Sequence, residues 1–195
     1  EPMLFDLTVI QSNRPVWQIQ FQLIAGEVNE NSPSFSSYGY YAIESSDSGN
    51  FNAPEYNWIE ICPDEGGTGS LIPENHVTSD GFSTCIDLPF EFCYYSQFYN
   101  EITVSSNGWL AMGEEEFVFF RNRTIPSGVG VNAMIAPFWD EMSGGEIYNW
   151  YNSYDHYFVI EWYNFQDSGH GCSQTFQVIL YDPEYYPTAS SDGMI

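Results

Sequence analysis

Lysine is absent from this chain of 195 residues, and its arginines are three, Arg14, Arg121 and Arg123. Against them stand 27 Asp and Glu, giving a formal net charge of −24. Such a surface repels phosphate backbones, which excludes nucleic acid as a partner. It disfavours anionic membrane surfaces for the same reason. Cations, basic proteins and neutral glycans stay open. The missing lysine fits three causes: acidic bias of composition, protection beside Lys- or Arg-specific proteases, or a saline habitat. No apolar run reaches 18 residues, so no membrane insertion is expected. Nor does a basic, apolar leader stand at Glu1, which reads as a mature or trimmed end.

Cysteine is scarce too. Cys62, Cys85, Cys93 and Cys172 do not form the paired CxxC spacing that zinc requires. An even number of them in an acidic, aromatic chain predicts disulfides and an oxidising compartment. If Cys85 and Cys93 share one extended strand, eight residues at about 3.3 Å each hold them beyond bonding range. That leaves Cys62–Cys85 with Cys93–Cys172, or the crossed alternative. The first is preferred, because it closes a Gly-rich loop at Asp64–Gly69.

Catalytic signatures are equally sparse. The histidines are His76, His156 and His170, and no G-x-S-x-G elbow is present. His170 and Cys172 read as a loop histidine and a bridged cysteine rather than a nucleophile with its base. Asp140 and Glu161 border aromatic strands and are the best pair for acid–base work on a glycoside. A solvated acidic face explains them as well. The chain is therefore expected not to be an enzyme, although a longer parent protein could be a peptidase.

What is abundant is aromatic residues, 18% of the chain, within a 43% hydrophobic content. Flat and branched side chains pack well on pleated surfaces, so strands are expected throughout. Residues 4–10 and 16–25 flank a polar turn and predict a β-hairpin, with Trp17, Ile19, Phe21 and Leu23 on one face. Residues 28–37 are polar and read as a linker. Beyond it, strands are predicted at 38–43, 57–61, from about Phe82, at 88–92, 102–105 and 109–113. Others are predicted at 117–120, 133–139, 146–151, 157–162 and 175–181. Asn107-Gly108 marks a hairpin turn. No stretch carries a 3.6-residue apolar stripe with caps. Short strands with Gly, Asn and Pro punctuation predict an all-β antiparallel sandwich or jelly roll over residues 38–195. The closing residues 191–195 read as a turn entering another strand, so more chain is expected.

Oxygen ligands on irregular loops suit calcium, and an acidic domain gains by neutralising itself. The metal-ligand candidates are Asp140, Glu141, Asp182 and Asp192, with Asp140 foremost; Asp64-Glu65 and Glu184 stand near similar loops. Trp150, Tyr151, Tyr154 and Tyr157 cluster around Asn149, Asn152 and Asp155, and Tyr185-Tyr186 sit on another loop. Aromatic faces beside amides and acids suit a sugar, so these are the ligand-binding candidates. Asn122-Arg123-Thr124 matches the glycosylation sequon, read as accidental.

An ordered series of segments adds a resemblance. It consists of Leu88-Pro89-Phe90-Glu91-Phe92, Tyr99, Ile102 through Trp109, Ile125-Pro126, Ile135 through Asp140, Phe158 through Trp162 and Thr175 through Tyr181. The series resembles a β-sandwich module of large secreted bacterial proteins. Among these are gingipain-like cysteine peptidases, subtilisin-like peptidases and surface proteins exported by type IX secretion. Ala136-Pro137-Phe138-Trp139-Asp140 is also similar to a segment of nidogen-type (NIDO) domains. The resemblance covers residues 82–195, and 38–81 more loosely. The first hairpin resembles the tail of an immunoglobulin-like domain that often precedes this module. What the resemblance implies is a non-catalytic structural or adhesive module of an extracellular or cell-surface protein. Its partners would be neighbouring domains of the same polypeptide, a surface protein or a glycan. A carbohydrate-binding module and an accessory domain of a secreted peptidase are the alternatives.

Overall fold

Alternation along the strands decides which side chains meet. The computed structural model describes residues 21–25, 40–45, 53–125, 130–168, 172–188 and 190–195. It begins with an antiparallel pair, β1 (Phe21–Ala25) and β2 (Tyr40–Glu44). The expected hairpin partner at 4–10 and the linker at 28–37 lie outside the described residues. After a 3-10 turn at Pro63–Glu65 comes β3 (Ser70–Leu71).

A front sheet then forms in the order β4 (His76–Thr78), β5 (Gly81–Tyr94), β6 (Gln97–Ser105), β7 (Trp109–Met112), β8 (Met134–Ile135). The back sheet uses β9 (Met142–Ser143), β10 (Glu146–Asn152), β11 (Tyr157–Asp167) and β12 (Ser173–Tyr181). Its order is β12-β11-β10-β3, and β9 pairs with the far end of β11. Every pairing is antiparallel. The expected all-β sandwich is therefore observed.

The inward residues of both sheets form one core. Ile147, Phe158, Ile160, Trp162, Val178 and Leu180 come from the back sheet. They meet Phe82, Phe92, Ile102, Val104, Leu110 and Met112 from the front. Burying each such side chain contributes roughly 1.5–3 kcal/mol. Trp162 also spans the layers, donating from Nε1 to the Ser105 carbonyl at 2.7 Å. Its ring stacks on Phe176 at 5.0 Å.

The outward faces are covered as well. Trp109, Ala111 and Met134 point away from the core and pack against Val131, Ala136 and Trp139. On the other side Tyr148 and Val159 pack beneath Ile61 and Cys62.

These covers correct two strand expectations. Residues 117–120 and 57–61 are not strands; they are the covers themselves. Side chains replace the ladder there. Trp109 and Trp139 both donate their indole N–H to the Phe119 carbonyl at 2.9 Å. Asn107 donates to the Val118 carbonyl. Gln177 Oε1 accepts from the Ile59 N–H, and its Nε2 donates to the Ile59 carbonyl. A short run of apolar, β-favouring residues cannot separate a strand from a strap pinned by side chains. The 133–139 run likewise yields only β8, with Ala133 before it at a left-handed φ of 46° and Pro137, which has no N–H to donate, after it.

Two details set the ends of the sandwich. The β6–β7 hairpin turns through Ser106-Asn107-Gly108, closed by the Gly108 N–H on the Ser105 carbonyl. Gly108 has φ of 75°, and a Cβ there would lie 1.7 Å from the Phe138 carbonyl oxygen. At the opposite end the β5–β6 register slips between Asp87 and Phe92. Pro89 lies within that slip, where its missing N–H leaves no ladder bond to give.

Candidate functional site

The slip opens a groove. It lies at the end of the sandwich where β5 runs into β6 and β10 into β11, and its volume is about 610 Å³. One wall is Pro89, Phe90, Glu91 and Phe98. Tyr151 and His156 flank the β10–β11 turn, and Asp182 to Tyr185, Pro187, Thr188 and Ser191 close the other side. Phe98 is 64% exposed and Tyr185 52%, high values for large apolar rings. Phe90 meets Tyr151 at 5.9 Å between ring centroids.

The second wall is held firmly. The Asp182 N–H donates to the His156 carbonyl, and its own carbonyl accepts from the N–H groups of Tyr185 and Tyr186. Asp182 Oδ1 accepts from the Glu184 N–H at 3.0 Å. Tyr186 donates its hydroxyl to the Asp155 carbonyl at 2.7 Å. The His156 ring lies flat on Tyr185, centroids 3.4 Å apart and planes 4° from parallel. His156 carries a left-handed φ of 57°, and its buried Nδ1 has no hydrogen-bond partner. Burial, followed by the charge of Asp182, pushes the Tyr151 phenol up. The groove is thus an aromatic slot edged by Glu91, Asp182 and Glu184.

The sugar candidates do not share one platform. Alternation places Tyr151 in the groove, while Trp150 and Tyr157 pack on the outer face of the back sheet. Those two rings meet edge to face at 6.2 Å rather than lying coplanar. Tyr154 is 88% exposed at the tip of the turn. Asn152 and Asp155 are engaged in that turn: Asn152 Oδ1 accepts from the N–H groups of Tyr154 and Asp155, and its Nδ2 donates to Asp155.

The calcium candidates separate as well. Asp140 and Glu141 stand beside the Asn107 turn, since the Asp140 N–H donates to the Asn107 carbonyl. Asp140 Oδ1 accepts from the Glu141 N–H. Asp182 and Asp192 sit at the opposite end. Asp192 is buried; its Oδ1 accepts from the Ser96 N–H at 2.7 Å and from the Cys93 thiol at 3.4 Å. Among the described residues, no three His, Cys, Asp or Glu side chains converge to hold a metal ion.

No disulfide joins Cys62, Cys85 or Cys93 in the structure, and neither expected pairing is present. The layers explain this. Cys62 belongs to the back sheet's outer cover and is buried against Tyr148 and Val159. Cys85 and Cys93 both lie on β5 of the front sheet, as the spacing argument supposed. Cys172 precedes β12, and its carbonyl accepts from the Asp167 N–H. Burial, together with the bond to Asp192, pushes the Cys93 thiol up to about 11. Burial likewise raises Cys85, aided by Glu101.

Asp140 and Glu161 make no acid–base pair. Glu161 is wholly buried on the outer face of β11, beneath the 57–62 cover. Its Oε2 accepts from the Ile61 N–H at 3.3 Å, and its Oε1 has no partner. Burial and then the nearby Glu60 charge push this carboxyl up to about 7, against the opposing pull of the Ile61 bond. His170 lies outside the described residues, and His76 is exposed on β4.

Of the groove residues, sequence reasoning named Tyr151, Asp182, Glu184 and Tyr185 but missed Phe90, Phe98 and the His156 stack. A proline inside a strand-like run was the available signal, since it marks a bulge or an edge.

The comparisons with known proteins fit this architecture. A family model described as NIDO related matches residues 50–184, well over half of the chain. No curated protein matches, and no solved structure matches. The matched span holds both covers, the core strands β3 to β12 and most of the groove, and on that match the chain belongs to the NIDO-related family.

Proposed function

We propose that this chain is a non-catalytic, adhesive module of an extracellular protein, and that the groove at the β5–β6 end is its ligand-contacting surface. The observation that carries this reading is the groove itself: large exposed rings in a slot of about 610 Å³, on walls fixed by backbone bonds. Exposed apolar rings in a concave, rigid setting mark recognition sites rather than ordinary surface. Membership of the NIDO-related family supports an extracellular setting.

A carbohydrate-binding module is the second reading, favoured by the exposed rings of Phe98, Tyr154 and Tyr185. Placement in a secreted peptidase or type IX-exported surface protein rests on the segment resemblance alone.

The test is binding of the chain to a panel of immobilised glycans and extracellular proteins, compared with a Phe98→Ser/Tyr185→Ser double variant. Saturable binding that the variant loses supports an adhesive groove. Binding that the variant keeps moves the surface elsewhere, and hydrolysis of any panel member by the chain overturns the non-catalytic reading.

A further inference from the structure

The lining of the groove has a one-sided chemistry. Its charged groups are the carboxylates Glu91, Asp182 and Glu184. Neither arginine nor an asparagine or glutamine amide stands in the lining. The aromatic members Phe90, Phe98, Tyr151 and Tyr185 offer ring faces whose quadrupole is negative above the plane. Ionised carboxylates accept hydrogen bonds and donate none. The slot is therefore rich in acceptors and negative potential, and its donors are few: the hydroxyls of Tyr151, Tyr185 and Ser191 beside His156, that of Thr188 being given to the Asp192 carbonyl. A neutral sugar, which needs donors as well as acceptors, finds half its requirement there. A guanidinium or ammonium finds all of it: carboxylates to receive its N–H groups, rings to face its charge, and a domain of net charge −24 to draw it in.

Resting on the groove as the adhesive surface, we propose that its occupant is a basic, extended segment of a partner protein, whose arginine or lysine side chains insert between Phe98 and Tyr185 and pair with Glu91 and Glu184. Charge complementarity selects this occupant over a second copy of the chain. A second copy brings no lysine and three arginines among 27 acids. Fields of equal sign repel two such copies before contact.

The experiment is a titration of the chain with a fluorescent, acetylated Gly-Arg-Gly-Arg-Gly peptide in about 0.15 M NaCl, where long-range attraction is screened. A peptide with citrulline for arginine keeps the shape and removes the charge. The variants are Phe98→Ser/Tyr185→Ser, Glu91→Gln/Glu184→Gln and a charge-matched control, Glu114→Gln/Glu116→Gln, on exposed positions outside the groove. The expected result is saturable binding of the arginine peptide alone. Either groove variant weakens it about tenfold, and the control changes it less than about twofold. Equal weakening by both acid pairs means a diffuse field and overturns the proposal. A saccharide that binds through Phe98 and Tyr185 while the arginine peptide does not sinks the cationic ligand and leaves the adhesive groove standing. Binding of either probe that no groove variant alters sinks both. Melting points of the variants check their folding, and the carboxylate pair stands as an independent probe if the ring pair unfolds.

Discussion

Glu161 and Gln177 face one another across β11 and β12, and both side chains hold the same stretch of the outer cover. Gln177 brackets the Ile59 peptide with two bonds, and Glu161 takes the Ile61 N–H. A neutral amide does this at any pH. A buried carboxyl does it at a cost that depends on its proton.

That difference gives the first prediction. Around Glu161 stand Glu60 and Ile61 of the cover, Tyr148 of β10 and Gln177 of β12. None brings positive charge. The folded carboxyl is pushed up to about 7 from an ordinary 4.5. Between these values the folded state holds a proton that the unfolded chain has released. Stability therefore falls as pH rises through this window, and the penalty is complete above about pH 7. Its size is on the order of 3 kcal/mol. Glu161→Gln should remove the slope that this residue adds and melt higher than the parent at pH 8. Parallel melting curves for the two proteins from pH 5 to pH 8 would refute this account.

The cysteines supply the second. With Cys62, Cys85 and Cys93 as free thiols, Ellman titration of denatured, unreduced protein should find at least these three. In the native fold Cys93 should react slowly, because its thiolate is disfavoured by burial and by Asp192. Asp192→Asn should speed its alkylation. A titration that finds no thiol would restore the disulfides that an oxidising compartment favours.

The third concerns the front cover. Arg121 and Arg123 are exposed, and they lie on a loop whose Phe119 carbonyl is pinned by two indoles. Proteases cut segments that open locally. Trp139→Phe removes one indole donor and keeps an apolar ring, which should cost about 1 kcal/mol. Native trypsin digestion should then cut at Arg121 and Arg123 faster than in the parent. An unchanged cutting rate would mean that the Trp139 bond does not hold the cover down.

Runs of β-branched and aromatic residues such as Tyr157–Trp162 and Thr175–Tyr181 made the core strands legible in the sequence, since such side chains pack well on a pleated sheet. The same reading failed at 57–61 and 117–120. There the apolar residues pack onto a sheet from outside, and the partners that satisfy their backbone, Gln177, Asn107, Trp109 and Trp139, lie far off in the chain. The groove was half legible for a related reason. Tyr151 and Tyr185 announce themselves as loop and strand-end aromatics. Phe90 and Phe98 sit in runs that look like ordinary core strands until the slip at Pro89 turns them out. Cysteine pairing was the least legible, because it depends on which layer each residue faces.

Asn107 carries the last prediction. It was read from sequence as half of a hairpin turn, and the structure makes it a junction of three segments. Fully buried, it donates from Nδ2 to the Asp80 carbonyl at 2.7 Å and to the Val118 carbonyl at 2.9 Å. Its Oδ1 accepts from the Met142 N–H at 3.3 Å. The β4–β5 turn, the front cover and β9 are thereby tied to one side chain. Asn107→Ala leaves two carbonyls and one N–H to find new partners in a buried place, each costing about 1–3 kcal/mol if unmet. Urea unfolding should show a loss of about 3 kcal/mol or more, among the larger effects of a single substitution. Gln at this position keeps the amide but lengthens its reach, and should recover only part. A loss below about 1 kcal/mol for Asn107→Ala would mean that water replaces the amide, and the junction would then be a convenience of packing rather than a tie between the sheets.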